Sequence, residues 1–421
     1  MSDIAWIEKA LVGARPQAIG ALLRYFRNLD RAEEAYQEAC LRALKTWPEK
    51  GPPRDPAAWL IFVGRNAALD TVRRESRHTE LPEDAAISDL EDAETELSVR
   101  LDNAHYRDDI LRLMFICCHP DLPATQQIPL ALRIVSGLTV REIAAAFLVN
   151  EKAMEQRITR AKRRVMGANV PFEAPGPAER AERLGAVAAM IYLLFNEGYS
   201  ASGGEAHLRA ALCEEAIRLA RLLLRLFPSE PEIMGLLALM LLQHARTPAR
   251  LNPDGNIVLL EKQDRSRWSK DRIAEGLALI QKAMRHHQPG PYQVQAAIAA
   301  LHAEALTADL TDWTQISLLY QALERMTPSP VITLNRAVAV FKAADAEQAL
   351  NLIKPLEERL ANYFYFHGVH GALLKELGRC DEARQAFNIA ISLARTPAEA
   401  AHIREQLDTL ETVVPPLNVA Q

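Results

Sequence analysis

The sequence predicts an all-α protein, and three observations carry that expectation. Ala, Leu, Glu and Arg dominate the 421 residues, alternating β-branched runs are absent, and apolar residues recur at helical spacing. Pro and Gly gather at Gly51-Pro52-Pro53, Pro171 to Pro177, Ser202-Gly203-Gly204 and Pro289-Gly290-Pro291, where they separate helical stretches rather than interrupt them. With 49% hydrophobic residues the chain can fill several cores, and its punctuation and charge divide it into segments 1–78, 79–104, 105–170 and 171–421.

Segment 1–78 holds two informative helices. In AEEAYQEACLRALKTW (32–47), Ala35, Ala39, Leu41 and Leu44 supply an apolar stripe, while Glu34, Gln37 and Glu38 share a polar face at adjacent turns. Spacing alone is satisfied by a solvated face. In DPAAWLIFVGRNAALDTVRRES (55–76), Asp55 caps a helix that has Pro56 at its first position. Trp59, Phe62 and Val63 there interleave with Arg65, Asn66, Arg73 and Arg74. Aromatics beside Arg and Asn suit opened DNA strands, where bases stack and phosphates pair, whereas core packing is the simpler account of the aromatics taken alone. Residues 80–97 then carry eight carboxylates and no Lys or Arg, so 79–104 reads as an extended acidic linker.

The most informative pattern is LTVREIAAAFLVNEKAMEQRITRAKRR (138–164). Leu138, Ile143, Ala144 and Phe147 fall on one face, Val149-Asn150 interrupts the period, and Asn150 caps a second helix. This is a helix-turn-helix. The second helix carries six basic residues, Lys152, Arg157, Arg160, Lys162, Arg163 and Arg164, against Glu151 and Glu155, which gives it the charge of an element that enters a DNA groove. The net charge of −5 does not oppose this, because the field that DNA meets is local.

Taken in order, YFRNLDRAEEAYQEACLRALKTW, PAAWLIFVGRNAALDTVRRE, the acidic linker, LRLMFICCHPDLP and LTVREIAAAFLVNEKAMEQRITRAKRRV resemble an extracytoplasmic-function (ECF) bacterial sigma factor over about residues 5–168. The resemblance implies a sigma domain two in 1–78 and a sigma domain four in 105–170. It implies docking of Glu34, Gln37 and Glu38 on the β′ clamp helices of core RNA polymerase, with the β flap as a second contact. It also implies that Arg65, Asn66, Arg73 and Arg74 engage the minus-ten element. Lys152, Ala153, Gln156, Arg157 and Arg160 approach the minus-thirty-five element, and Arg163 and Arg164 meet phosphate. In related factors the linker threads the polymerase cleft; a plain tether accounts for the same composition.

Beyond 171 the chain turns to repeats. Gly371, Leu374, Gly378, Ala383, Phe387 and Ala390 follow the small-large pattern of a tetratricopeptide (TPR) repeat, and Ala349 precedes Ala383 by 34 positions. ISLLYQALERMTP (316–328) and EAIRLARLLLRLFP (215–228) read as second helices of degenerate repeats, so 171–421 is expected to be a TPR-like α-solenoid. LLFNEGYSASGGE (193–205) and LLEKQDRSRW (259–268) resemble signature stretches of a sigma subgroup with such an extension. Asn196-Glu197-Gly198 should stop a helix, and Gln263 to Trp268 offer either a docking surface with an aromatic anchor or a loop packed across the solenoid.

Other classes find little support. GxxxxGK[ST], HExxH and GxSxG are absent, so no catalytic residues are assigned and an enzyme is not expected. Cys117-Cys118-His119 and the His367/His370 pair lack further ligands nearby, so structural roles are expected and neither a metal nor a cofactor is assigned. Five cysteines without CxxC spacing point to reduced thiols. The amino terminus has no signal-peptide pattern, and apolar stretches such as Ile233–Leu242 are too short to span a bilayer, so a cytoplasmic location without a membrane partner is expected. The expected function is promoter-directed transcription initiation, with the solenoid regulating it or docking a regulatory protein. The alternatives are a helix-turn-helix regulator acting without core polymerase, and a ligand-sensing receptor within 178–421.

Overall fold

A computed structural model of the chain describes residues 5–51, 53–76, 103–119, 121–147, 149–167, 177–199, 206–250, 252, 258–343, 345–394 and 397–411. Every regular element among them is helical, as expected. The acidic stretch 79–102 and the Pro-rich 171–176 lie outside the described residues; Asn103 and Ala104, assigned to the linker from sequence, already belong to a helix.

The contacts divide the chain into two compact units, Met1–Gly198 with Leu208–Ala216, and Tyr199–His207 with Ile217–Gln421. In the first, α1 (Ala5–Phe26), α2 (Leu29–Lys50) and α3 (Pro56–Ser76) pack mutually around Ile19, Leu22 and Leu60. Small residues set the approach of α3 to α2: a Cβ on Gly64 would lie 2.8 Å from the Ala35 carbonyl oxygen. The buried stripe of α2 is Leu29, Ala32, Ala35, Tyr36, Ala39, Ala43 and Trp47. Leu41 and Leu44, assigned to this stripe from sequence, are 56% and 46% exposed and sit on the polar side instead. The helical period explains the correction, because Ala43 and Trp47 continue the Ala32–Ala39 register at steps of four whereas Leu41 and Leu44 continue that of Glu34 and Gln37 at steps of three and four.

The same unit continues with α4 (Asn103–Cys117), α5 (Ala124–Ala131), a π-helical turn over Leu132–Ser136, α6 (Val140–Ala146), α7 (Glu151–Gly167) and α8 (Pro177–Tyr199). Gly137 ends the π turn at φ +79°, a left-handed conformation that favours glycine. Cys117 and Cys118 are buried at the end of α4, where burial pushes the Cys118 thiol up to about 12. The stop expected at Asn196-Glu197-Gly198 is not taken: α8 runs through it to Tyr199. Buried Leu194 and Phe195 hold this last stretch in the core, and one glycine inside a helix costs only about 1 kcal/mol.

The second unit is built on α10 (Pro231–Ala245), an almost wholly buried helix that follows α9 (Ala206–Leu226). It packs against α11 (Lys270–Met284) and α12 (Pro291–Glu304). Glu232 of α10 caps α12, accepting from the Tyr292 and Gln293 amides at 3.0 and 3.2 Å. From α12 onward through α13 (Trp313–Met326), α14 (Pro330–Ala343), α15 (Ala346–Ile353), α16 (Phe364–Glu376), α17 (Cys380–Leu393) and α18 (Pro397–Glu411), each helix packs on the next, as a solenoid requires. Gly371 admits the Phe387 ring, which a Cβ would meet at 2.6 Å, and Leu374, Ala383, Phe387 and Ala390 are buried. His367 is buried as well, its Nε2 2.8 Å from the Ala361 carbonyl oxygen.

Candidate polymerase- and DNA-binding surfaces

Asn28 starts α2 by accepting a hydrogen bond from the Arg31 amide at 3.0 Å, which fixes the phase of every later side chain on the helix. That phase leaves Glu34, Gln37 and Glu38 exposed on one face. Arg42 Nε donates to Glu38 at 3.1 Å, a surface i,i+4 pair. The exposed Leu41 and Leu44 extend the face by two turns, an apolar component that the sequence reading had assigned to the core.

Asp55 caps α3 as expected, accepting from the Ala57 and Ala58 amides at 2.9 and 3.1 Å. Trp59 and Val63 are buried, and Trp59 meets Trp47 edge-on with ring centroids 5.3 Å apart, so these two serve the core. Arg65 is exposed and lies over the half-exposed Tyr25 ring at 4.5 Å. Asn66 is partly exposed, whereas the side chains of Arg73 and Arg74 lie outside the described residues although both fall on α3.

The helix-turn-helix is set by its caps. Thr139 and Glu142 form a reciprocal capping box at the start of α6, and Asn150 accepts from the Ala153 amide at 2.7 Å to start α7. Met154, Ile158, Ala161 and Val165 anchor α7 in the core. The opposite face exposes Lys152, Ala153, Gln156, Arg160, Arg163 and Arg164, with Arg157 partly exposed at its border. A row of amide and guanidinium donors on a helix with a fixed back is suited to base edges and phosphates.

Lys162 of α7 departs from that pattern. Its ammonium reaches Glu33 at 2.5 Å and Asp30 at 2.9 Å, both on α2. Burial pulls the Lys162 pKa down, but the carboxylates outweigh it and the net shift is upward. Glu33 is 5% exposed and also meets Arg15 Nη2 at 3.5 Å and Arg133 Nε at 3.7 Å. Arg15 donates to the Ile134 and Arg133 carbonyl oxygens of the π turn, each at 3.1 Å, and burial lowers its pKa. The sequence reading missed this cluster. Its available signal was Glu33 standing four residues after Leu29 and three before Tyr36, on the apolar face.

In the second unit, Arg265 and Trp268 of the QDRSRW stretch turn inward while Asp264, Ser266 and Arg267 stay exposed. Arg265 donates to the His302 and Ala305 carbonyl oxygens at 2.5 and 2.6 Å, at the end of α12, and Trp268 is 3% exposed. Of the two accounts open from sequence, packing across the solenoid fits this geometry. Among the described residues, no helix is long and apolar enough to cross a membrane, and no three His, Cys, Asp or Glu side chains are grouped to hold a metal ion.

Three parts of the chain match known protein families. Residues 11–78 match Sigma-70 region 2, residues 112–165 match Sigma-70, region 4, and residues 183–284 match a family of unknown function (DUF6596). An uncharacterized protein of Rhizobium meliloti (strain 1021) is 67% identical over 410 residues, covering 97% of each chain. With regions 2 and 4 in the expected order and a matched extension behind them, the chain belongs to the sigma-70 family as an ECF-like sigma factor with a C-terminal extension.

Proposed function

We propose that this sigma factor directs core RNA polymerase to specific promoters through three surfaces of its first unit. The polar face of α2, Glu34, Gln37 and Glu38, docks on the β′ clamp helices, with the β flap as the second polymerase contact. Arg65, Asn66, Arg73 and Arg74 of α3 engage the opened minus-ten element. Lys152, Ala153, Gln156, Arg157 and Arg160 of α7 read the minus-thirty-five element while Arg163 and Arg164 hold phosphate. The observation that carries this reading is the exposure of Gln156, Arg160 and Arg163 opposite the buried Met154, Ile158 and Ala161 on one capped helix. The role is one of recognition and positioning rather than catalysis. The solenoid regulates the factor or docks a regulatory protein.

In-vitro transcription with purified core polymerase on a library of promoter fragments tests the proposal. Transcripts that require both the chain and a defined upstream element are expected; DNA binding without any polymerase-dependent transcript would instead favour a regulator acting without core polymerase.

A further inference from the structure

We infer that the second unit carries a binding site for an oxyanion, the phosphate or carboxylate group of a small molecule, built from Tyr199, Arg246, Arg250, Arg265, Trp268 and His302. All six lie in that unit, so the site is independent of what the first unit does at a promoter. Two stretches that stand out in the sequence meet here: Tyr199 comes from 193–205, and Arg265 and Trp268 from 259–268. The Ser269 amide donates to the Ala245 carbonyl oxygen at 3.0 Å, which sets Trp268 beside Arg246 at the end of α10. The short turn Thr247–Ala249 packs on the turn Arg265–Arg267 and joins the two halves of the site.

The three guanidiniums are held by uncharged oxygens, which orient them without cancelling their charge. Arg246 Nη2 donates to the Tyr199 hydroxyl and Arg250 Nη1 to the Tyr199 carbonyl oxygen, each at 2.6 Å, and the Arg250 guanidinium lies over the Tyr199 ring 3.7 Å from its centre. Arg265 Nη1 donates to the His302 and Ala305 carbonyl oxygens, and its guanidinium sits 4.9 Å from the centre of the Trp268 ring. The C-terminal dipole of α12 offsets part of that one charge. Carboxylates nearby in sequence are engaged elsewhere: Glu261 pairs with Lys342 at 2.7 Å, and Asp264 accepts from the Ser266 amide at 3.0 Å. Arg246 adds to burial in lowering the Arg265 pKa, so the two cations feel each other. Oriented guanidinium forks gathered in this way match the oxygens of a phosphate or carboxylate.

Buried donors point to the same class of ligand. Arg246 Nε, Trp268 Nε1 and His302 Nδ1 are buried and have no hydrogen-bond partner among the described residues, and Trp268 is only 3% exposed. Guanidinium and indole N–H groups only donate, and a neutral imidazole can place its proton on Nδ1. Leaving such groups unmade forfeits their hydration without return, so the missing partner is an acceptor rather than a cation. Arg246 and Arg250 are partly exposed, which gives the anion a way in from solvent. Trp47 Nε1 of the first unit is buried and unpartnered too, but it sits between the Trp6 and Trp59 rings, a setting that attracts no anion.

The test titrates the full chain, labelled with nitrogen-15 at tryptophan, with sodium phosphate, sodium acetate and sodium chloride at matched ionic strength. Five tryptophans give five indole N–H signals, and Trp268→Phe and Trp47→Phe identify the two that matter. Phosphate or acetate is expected to move the Trp268 signal to saturation while the Trp47 signal stays in place and chloride moves neither. Whichever anion saturates at the lower concentration names the preferred group. Calorimetric titration with that anion should show binding weakened at least about tenfold in Arg246→Gln, the loss of one charged hydrogen-bond donor, and likewise in Arg250→Gln. A Trp268 signal unmoved by both oxyanions, a shift that chloride reproduces, or wild-type affinity in the folded arginine variants would each overturn the site. The titration of the unmutated chain decides the matter even where a variant fails to fold.

Discussion

Reversing the charge of Glu34 and Glu38 is the sharpest test of the proposed polymerase-docking face. Both side chains are exposed, and Glu38 is already partnered by Arg42 at 3.1 Å, a surface pair that contributes about 0.3–0.5 kcal/mol. Glu34 is exposed, so its charge can meet a basic partner helix. Losing one interfacial charge pair costs about 2–5 kcal/mol, hence Glu34→Lys alone should weaken association with core polymerase at least about 30-fold. Adding Glu38→Lys should take the loss to several hundredfold, on the order of 3–4 kcal/mol. The fold should hardly respond, because exposed substitutions usually change stability by less than about 0.5 kcal/mol, and the repulsion between Arg42 and a lysine introduced one turn before it costs a similar amount. Fluorescence titration of labelled chain with purified core polymerase, alongside thermal unfolding, measures both quantities. An unchanged dissociation constant in a normally folded double variant would refute the assignment of this face.

Further outcomes follow from other parts of the chain. Arg157→Ala and Arg160→Ala should each reduce the preference for the intact upstream element by about 1–3 kcal/mol while leaving core binding intact; equal transcription from intact and scrambled elements in the unmutated protein would remove the basis for this. His302 is mostly buried and faces Arg246 and Arg265, and burial with those two charges lowers its pKa from 6.5 to about 4. The folded state therefore stays neutral where the unfolded state takes up a proton, and stability should fall as pH drops from about 6.5 toward 4, by roughly 2 kcal/mol at pH 5. Urea midpoints at pH 7 and pH 5 should show this loss, and an identical pH slope in His302→Asn would assign it elsewhere. Truncation after residue 170 removes α8, whose Val187, Ile191, Leu194 and Phe195 are buried, so that fragment should unfold at a lower temperature than one ending after residue 226. The longer fragment should keep core binding and lose promoter output; wild-type output from it would make the solenoid an independent docking module.

How much was legible depended on whether a residue's role is local. The Asp55 and Asn150 caps, the exposed Gln156–Arg164 face and the small-large packing of Gly371 on Phe387 are each set within a few residues or between neighbouring helices, and all were readable from spacing. Leu41 and Leu44 were misplaced because leucine is a strong apolar signal, whereas the core stripe of α2 is written mostly in alanine, which allows close helix approach while contributing little to a pattern. Asn196-Glu197-Gly198 resembled a stop, yet Leu194 and Phe195 keep α8 helical through burial that no local rule contains. The Glu33 cluster joins positions as far apart as Arg15, Arg133 and Lys162, and only the fold brings those charges together.

Glu33 and Glu34 show how one helix serves two surfaces. Consecutive residues on an α-helix point about 100° apart, so a pair of glutamates at the edge of an apolar stripe must divide between core and solvent. Glu34 takes solvent and can meet a partner; Glu33 turns inward and is neutralised by three cations from other elements. An apolar residue at 33 would leave Arg15, Arg133 and Lys162 without their shared carboxylate, and a buried cation that loses its partner is costly. A carboxylate at this position avoids that cost, since it answers cations from three elements at once. The same α2 thus turns an exposed acidic face to solvent on one side and a buried carboxylate to the cations of α1, the π turn and α7 on the other.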